Sequence, residues 1–342
     1  MGLKLNLALQ GGGAHGAYSW GVLDRLLEEE DIDLEGVSGT SAGAINAVVL
    51  ADGLMKGGRA GAKENLASFW KKIADAGSVT PFGAFSHVPI SQEWMTNLWV
   101  YPWLRTLTTF FSPYQMNPAG YHPMRSLLEE SIDFKRVRKC DKISLYITAT
   151  QVNNGQPAVF DSSQLTTEHV LASTALPWLF QAVEIKGKHY WDGGYIGNPA
   201  LWPLIYECNS RDILLVKINP LEIKDSPPRE GIDILNRISD ISFNSSLIAE
   251  MRAIHFVQKL VRDGQLKDSR YKDMNIHMVE RPDEMDEYEV ATKFTVDMGF
   301  FEELRALGYK ACDKWLKKHK ACINKCSSLD IEKHFLQSSQ PI

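Results

Sequence analysis

The chain has 342 residues, 44% of them hydrophobic and 23% charged, with 37 Lys and Arg against 42 Asp and Glu for a net charge of −5. These proportions exclude an extended disordered chain, a collagen-like repeat and a small disulfide scaffold. The near balance of charge gives no global pull toward nucleic acid. Five cysteines without a dense framework read as free thiols of a reducing compartment. The N-terminus lacks the apolar core and cleavage site of a signal peptide, and charges interrupt every apolar run before about 18 residues. A cytoplasmic or peripheral-membrane location is the expectation, with specialised export not excluded.

In chain order, Leu3–Leu9 is apolar and ends at three glycines, as a buried strand does. Ala17–Glu30 carries Trp20, Leu23, Leu26 and Leu27 at helical spacing; Ile32–Ser38 is a second strand, and Ala42–Leu54 a second apolar helix. Strand, loop, helix, strand, turn, helix is the opening of a parallel sheet covered by helices. Met55–Lys63 reads as a loop, and 80–122 as an irregular aromatic-rich insertion. Nine tryptophans are many, and Trp94, Trp99 and Trp103 fall together in that insertion. They are candidates for substrate access or interfacial anchoring, the competing reading being buried cover over a sheet edge. Further strands are expected at Ile143–Val152 and Ile213–Ile218, with a hairpin over Val183–Trp191 turning at Lys186-Gly187-Lys188. Pro220–Pro228 is the strongest boundary, dividing a domain of residues 1–220 from a mainly helical region, 221–342, packed on it. In that region Ser245–Arg262 and Phe301–His319 have amphipathic helical patterns.

Gly39-Thr40-Ser41-Ala42-Gly43 is a G-x-S-x-G pentapeptide placed where a predicted strand ends and a helix begins. There the serine occupies a tight turn, Gly39 and Gly43 let strand and helix close around it, and the helix N-terminus favours an oxyanion. Gly11–Gly16 satisfies G-x-G-x-x-G, so a dinucleotide site competes with an oxyanion hole built from the exposed amides of Gly11, Gly12 and Gly13. A dinucleotide site needs an acid at the end of the second strand. Here that end carries Ser38–Ser41, and Asp31 and Asp33 stand at its start, which favours the serine elbow. For the base, chain order as in an α/β-hydrolase would offer His255 or His277, leaving a histidine-using carboxylesterase as an alternative. His255 lies in an amphipathic helix and His277 in a strand-like run, as structural residues do. Asp192 is the better candidate: Gly193 and Gly194 allow a tight turn behind it, and aromatic flanks desolvate the acid and strengthen it as a base.

Together these residues resemble the patatin-like phospholipase family. The glycine loop, the elbow and Asp192-Gly193-Gly194 occur in that family's order, and Ala172–Pro177, Phe180 and Asn198-Pro199 match its approach to the aspartate. The resemblance spans residues 5–200 and implies a three-layer α/β/α sandwich of the patatin type with a mainly helical C-terminal extension. It further implies a Ser41–Asp192 dyad without histidine, an oxyanion hole at Gly11–Gly13, no cofactor or metal, and a lipid or membrane-surface substrate rather than nucleic acid. Phospholipase A-type ester hydrolysis is the expected reaction. One departure is His15, which stands where the family often has Arg.

Overall fold

The computed structural model describes residues 2–79, 111–222, 227–229, 231–266, 268, 270–288 and 290–336. The strands are β1 (Leu3–Leu9), β2 (Ile32–Gly39), β3 (Ser144–Gln151), β4 (Pro157–Asp161), β5 (Val183–Ile185), β6 (Lys188–Asp192), β7 (Asp212–Lys217) and β8 (Asn275–Glu280). They form one sheet in the order β5-β6-β3-β2-β1-β7-β8, with β4 on the second edge of β3. The strands β3, β2, β1, β7 and β8 run parallel. The pieces β4, β5 and β6 are antiparallel additions at one side.

Alternating side chains feed two cores, one on each face. Leu5, Leu7 and Leu9 of β1 with Leu214 and Val216 of β7 enter one; Ala8, Ile213 and Leu215 enter the other. Both faces are covered, and the stretches Leu7–Leu9 and Ile213–Val216 are unbroken apolar runs accordingly. The first face packs against α1 (Gly16–Leu26) and α2 (Ala42–Val79), followed by α3 (Met124–Ser131), α4 (Phe134–Arg138) and α5 (Thr167–Thr174). The second packs against α6 (Trp202–Glu207) and α7 (Gly231–Arg262). A last helix, α8 (Met298–His319), returns to the first face against α1. This is an α/β/α sandwich with a largely helical C-terminal region, the architecture that the resemblance implies.

Two elements differ from the sequence reading. Met55–Lys63 is helical rather than a loop: α2 continues to Val79 through a kink at Gly57 and Gly58, whose backbone leaves helical geometry. Glycines at that point permit the kink, and Ala62, Leu66, Phe69 and Trp70 bury the second half. The region beyond residue 220 also contributes β8, which pairs with β7 from Asp212↔Asn275 to Lys217↔Glu280. The sheet therefore crosses the Pro220–Pro228 boundary. Trp94, Trp99 and Trp103 lie outside the described residues. No helix among the described residues is long and apolar enough to cross a membrane.

Candidate active site

Ser41 sits in the turn between β2 and α2 with φ at 54°, a left-handed conformation unusual for a residue with a Cβ. Such a backbone costs about 1–2 kcal/mol and holds the side chain clear of the turn. Surrounding bonds fix it. The Ser41 N–H donates to Ser173 Oγ at 2.9 Å, and the Ser173 hydroxyl donates to the Thr148 carbonyl at 2.7 Å. Thr40 Oγ1 donates to the Gly197 carbonyl at 2.6 Å. The elbow glycines are packing necessities: a Cβ on Gly43 would enter the Leu9 carbonyl, and one on Gly39 would fall 2.5 Å from the Gly43 oxygen.

Sheet register brings Asp192 to this turn. On one edge of β3, β2 pairs as far as Gly39↔Ile147, and the same edge then receives β6, with Ala149↔Asp192. The opposite edge is taken by β4. Two residues along a strand separate the ends of β2 and β6, so the residues following each meet. Asp192 is anchored by its N–H to the Ala175 carbonyl at 2.9 Å and by its carbonyl to Thr150 Oγ1 at 2.7 Å.

The Asp192 carboxyl is fully buried. Burial pushes its pKa up to about 7, while the Gly194 N–H and the Ser41 hydroxyl pull it back down. Oδ1 accepts from the Gly194 N–H at 2.7 Å. Oδ2 has no hydrogen-bond partner, and the Ser41 hydroxyl stands near enough to the carboxyl to lower its pKa. Gly193 has no room for a Cβ against the Thr148 carbonyl, and Gly194 packs under the Phe243 ring. At the rim, exposed Trp178 donates to the Tyr195 hydroxyl at 3.1 Å.

The glycine loop lies against the serine: a Cβ on Gly11 would fall 2.6 Å from Ser41 Cβ. Its amides are not equivalent, which corrects the expectation for Gly11. The Gly11 N–H already donates to Asn198 Oδ1 at 2.7 Å and is not free for a ligand. The amides of Gly12 and Gly13 have no partner among the described residues, and Gly13 is exposed with φ at 58°.

The alternative candidates fall elsewhere. His277 Nε2 lies 3.0 Å from Asp212 Oδ1, and its Nδ1 lies 2.9 Å from Ser328 Oγ. Asp212 begins β7, at the end of the sheet opposite the elbow. His255 lies on α7, and among the described residues no histidine is hydrogen-bonded to Ser41 or Asp192. Asp31 and Asp33 stand beside the start of β1, remote from the glycine loop at its end, and Asp31 pairs with Lys320. His15 is buried with Nε2 2.7 Å from Thr292 Oγ1. Its pKa falls to about 3, first through burial and then through Lys293 and Arg281, so the ring is neutral.

Sequence reasoning assigned no role to Ser173 or Asn198, although both lie in segments that carried the resemblance. Each acts across more than a hundred residues, on Ser41 and Gly11 respectively, and only the fold shows those pairings.

A family model described as patatin-like phospholipase matches residues 7–205, more than half of the chain. No curated protein matches the chain significantly. Among solved structures it is similar to VipD from Legionella pneumophila, at 13% identity and a TM-score of 0.39, over 97% of this chain and 72% of that one. The chain belongs to the patatin-like phospholipase family, a family of lipid acyl hydrolases.

Proposed function

We propose that the chain is a lipid acyl-ester hydrolase of phospholipase A type in which Ser41 is the nucleophile and Asp192 its base. The observation that carries this reading is the buried Asp192 carboxyl facing the Ser41 hydroxyl, with a pKa raised to about 7 and one oxygen unsatisfied. A base with that pKa is half ionised at neutral pH and accepts a proton more readily than an ordinary carboxylate.

Reaction proceeds in two halves. Ser41 Oγ attacks the ester carbonyl as its proton passes to Asp192, and the free amides of Gly12 and Gly13 receive the developing oxyanion. The tetrahedral intermediate collapses to an acyl-Ser41 ester, and protonated Asp192 gives its proton to the departing alcohol oxygen. Water then attacks the acyl group, Asp192 accepts its proton, and that proton returns to Ser41 Oγ as the carboxylic acid leaves. The neutral His15 adds no charge to this scheme. A lipid surface is the proposed partner.

The test is product analysis on a mixed panel of phospholipid vesicles and neutral esters with the wild type, Ser41→Ala and Asp192→Asn. Released fatty acid and lysophospholipid are expected from the wild type, with both variants reduced at least about a thousandfold. An Asp192→Asn protein retaining wild-type turnover contradicts the dyad.

A further inference from the structure

The glycine loop is held from behind by residues that lie outside the segment shared with the family. Asn219 follows β7 and donates from Nδ2 to the Gly11 carbonyl at 2.8 Å. Its own Oδ1 accepts from Lys293 Nζ at 3.0 Å, and Lys293 Nζ also pairs with Asp240 Oδ1 of α7 at 2.9 Å. Lys293 and Asp240 side chains are only 14% and 7% exposed, so this is an interior ion pair in which each partner needs the other. The same residue touches the loop a second time: a Cβ on Gly13 would run into the Lys293 carbonyl. Beside it, Thr292 meets His15 at the loop's end. Gln10 completes the cradle, accepting from the Ile218 and Asn219 amides at 2.8 and 2.9 Å and donating to the Asn198 carbonyl at 3.1 Å.

Asn219 has a single side-chain amide, and its orientation decides whether the Gly11 carbonyl meets a donor or an acceptor. Lys293 settles that choice. An ammonium on Oδ1 leaves the NH₂ end facing Gly11, and Asp240 fixes the ammonium in turn. We propose that Lys293 is a positioning residue for the oxyanion loop, acting through Asn219 on the Gly11 carbonyl and so on the aim of the Gly12 and Gly13 amides. The proposal rests on the reading of that loop as the oxyanion hole. It makes the region beyond residue 205 a working part of the site rather than an appendage.

The experiment compares Lys293→Met, Asn219→Asp and the double variant with the wild type, on a water-soluble p-nitrophenyl ester and by amide hydrogen exchange of the peptide covering residues 10–16. Asn219→Asp is isosteric and keeps an acceptor for Lys293, but turns an oxygen toward the Gly11 carbonyl. Each single variant is expected to lower kcat about ten- to a hundredfold with KM within about twofold, as misplaced oxyanion donors do. The double variant should lose little more than either single, because both act along one chain of contacts. Exchange at residues 10–16 should quicken at least tenfold in both, and by more than peptides elsewhere in the sheet of the same variant. Unchanged exchange in the folded Asn219→Asp protein overturns the clamp, and so do multiplicative losses in the double variant. Should Lys293→Met fail to fold, Asn219→Asp decides alone. Should the wild type hydrolyse no ester, the hydrolase reading fails, and the exchange comparison still decides whether the loop is held this way.

Discussion

As the proposed base, Asp192 must be buried and yet ionise, and the conflict has a thermodynamic consequence. Its folded pKa, about 7, lies above the ordinary 3.8 because water is excluded from the carboxyl. Between those values the folded chain holds a proton that the unfolded chain has released. The contribution to stability is full below the unfolded pKa and is lost as pH rises through about 7. A shift of this size corresponds to at most about 4 kcal/mol. Asp192→Asn removes the burden of charge while keeping an oxygen for the Gly194 N–H. The variant is expected to be more stable than wild type at pH 8, by roughly 2–4 kcal/mol, and to gain nothing at pH 4. Thermal midpoints measured across that range test this; a gain equal at both ends would contradict it. His15 shows the opposite sense of the same physics. Burial and two neighbouring cations keep it uncharged, so it serves the loop by packing against Tyr288 and Phe300 and by its contact with Thr292.

At the scale of elements, α7 braces the turn that follows Asp192. Phe243 packs edge to face on Tyr195 at 5.1 Å and lies over Gly194. Two turns further along, Glu250 Oε2 accepts from the amides of Leu201 and Trp202 at 2.8 and 2.9 Å, capping α6 from another helix. Burial raises the Glu250 pKa to about 7, against the downward pull of those two amides. Glu250→Ala leaves both donors unsatisfied and is expected to cost about 1–2 kcal/mol. Glu250→Gln keeps an acceptor oxygen and should cost much less. Urea midpoints of the two variants test this, since equal losses would mean that an acceptor oxygen of the same shape does not replace the carboxylate. The kink of α2 is likewise a local device: two adjacent glycines redirect a helix that the sequence pattern ends too early.

Across the whole molecule, legibility follows the range of the interactions. β1, β2 and the elbow were readable because strand, glycine and serine are neighbours in the chain, and the hairpin turn at Lys186-Gly187 carries its own signal in two residues of positive φ. The pairing of Ser41 with Asp192 was legible from the glycines and aromatic flanks of Asp192 and from the family order of motifs; its physical cause is that β2 and β6 share one edge of β3. The glycine loop was visible, but not which of its amides is already taken, because Asn198 lies 187 residues from Gly11. The run around His277 reads as strand-like, but that it extends the sheet is not legible until β7 is there to pair with it. Asn219, Asp240 and Lys293 carry no motif at all and acquire meaning only where the C-terminal region closes on the loop.

Activation of Ser41 by Asp192 can be read from covalent labelling by a fluorophosphonate as a function of pH. Wild-type protein should label at Ser41, located by peptide mass spectrometry, with a rate that rises through an apparent pKa of about 7, the value set by the burial of Asp192. Asp192→Asn should lose that pH dependence together with at least about a hundredfold in rate. Labelling at another residue, or a Ser41 rate and pH profile unchanged in Asp192→Asn, would contradict the account.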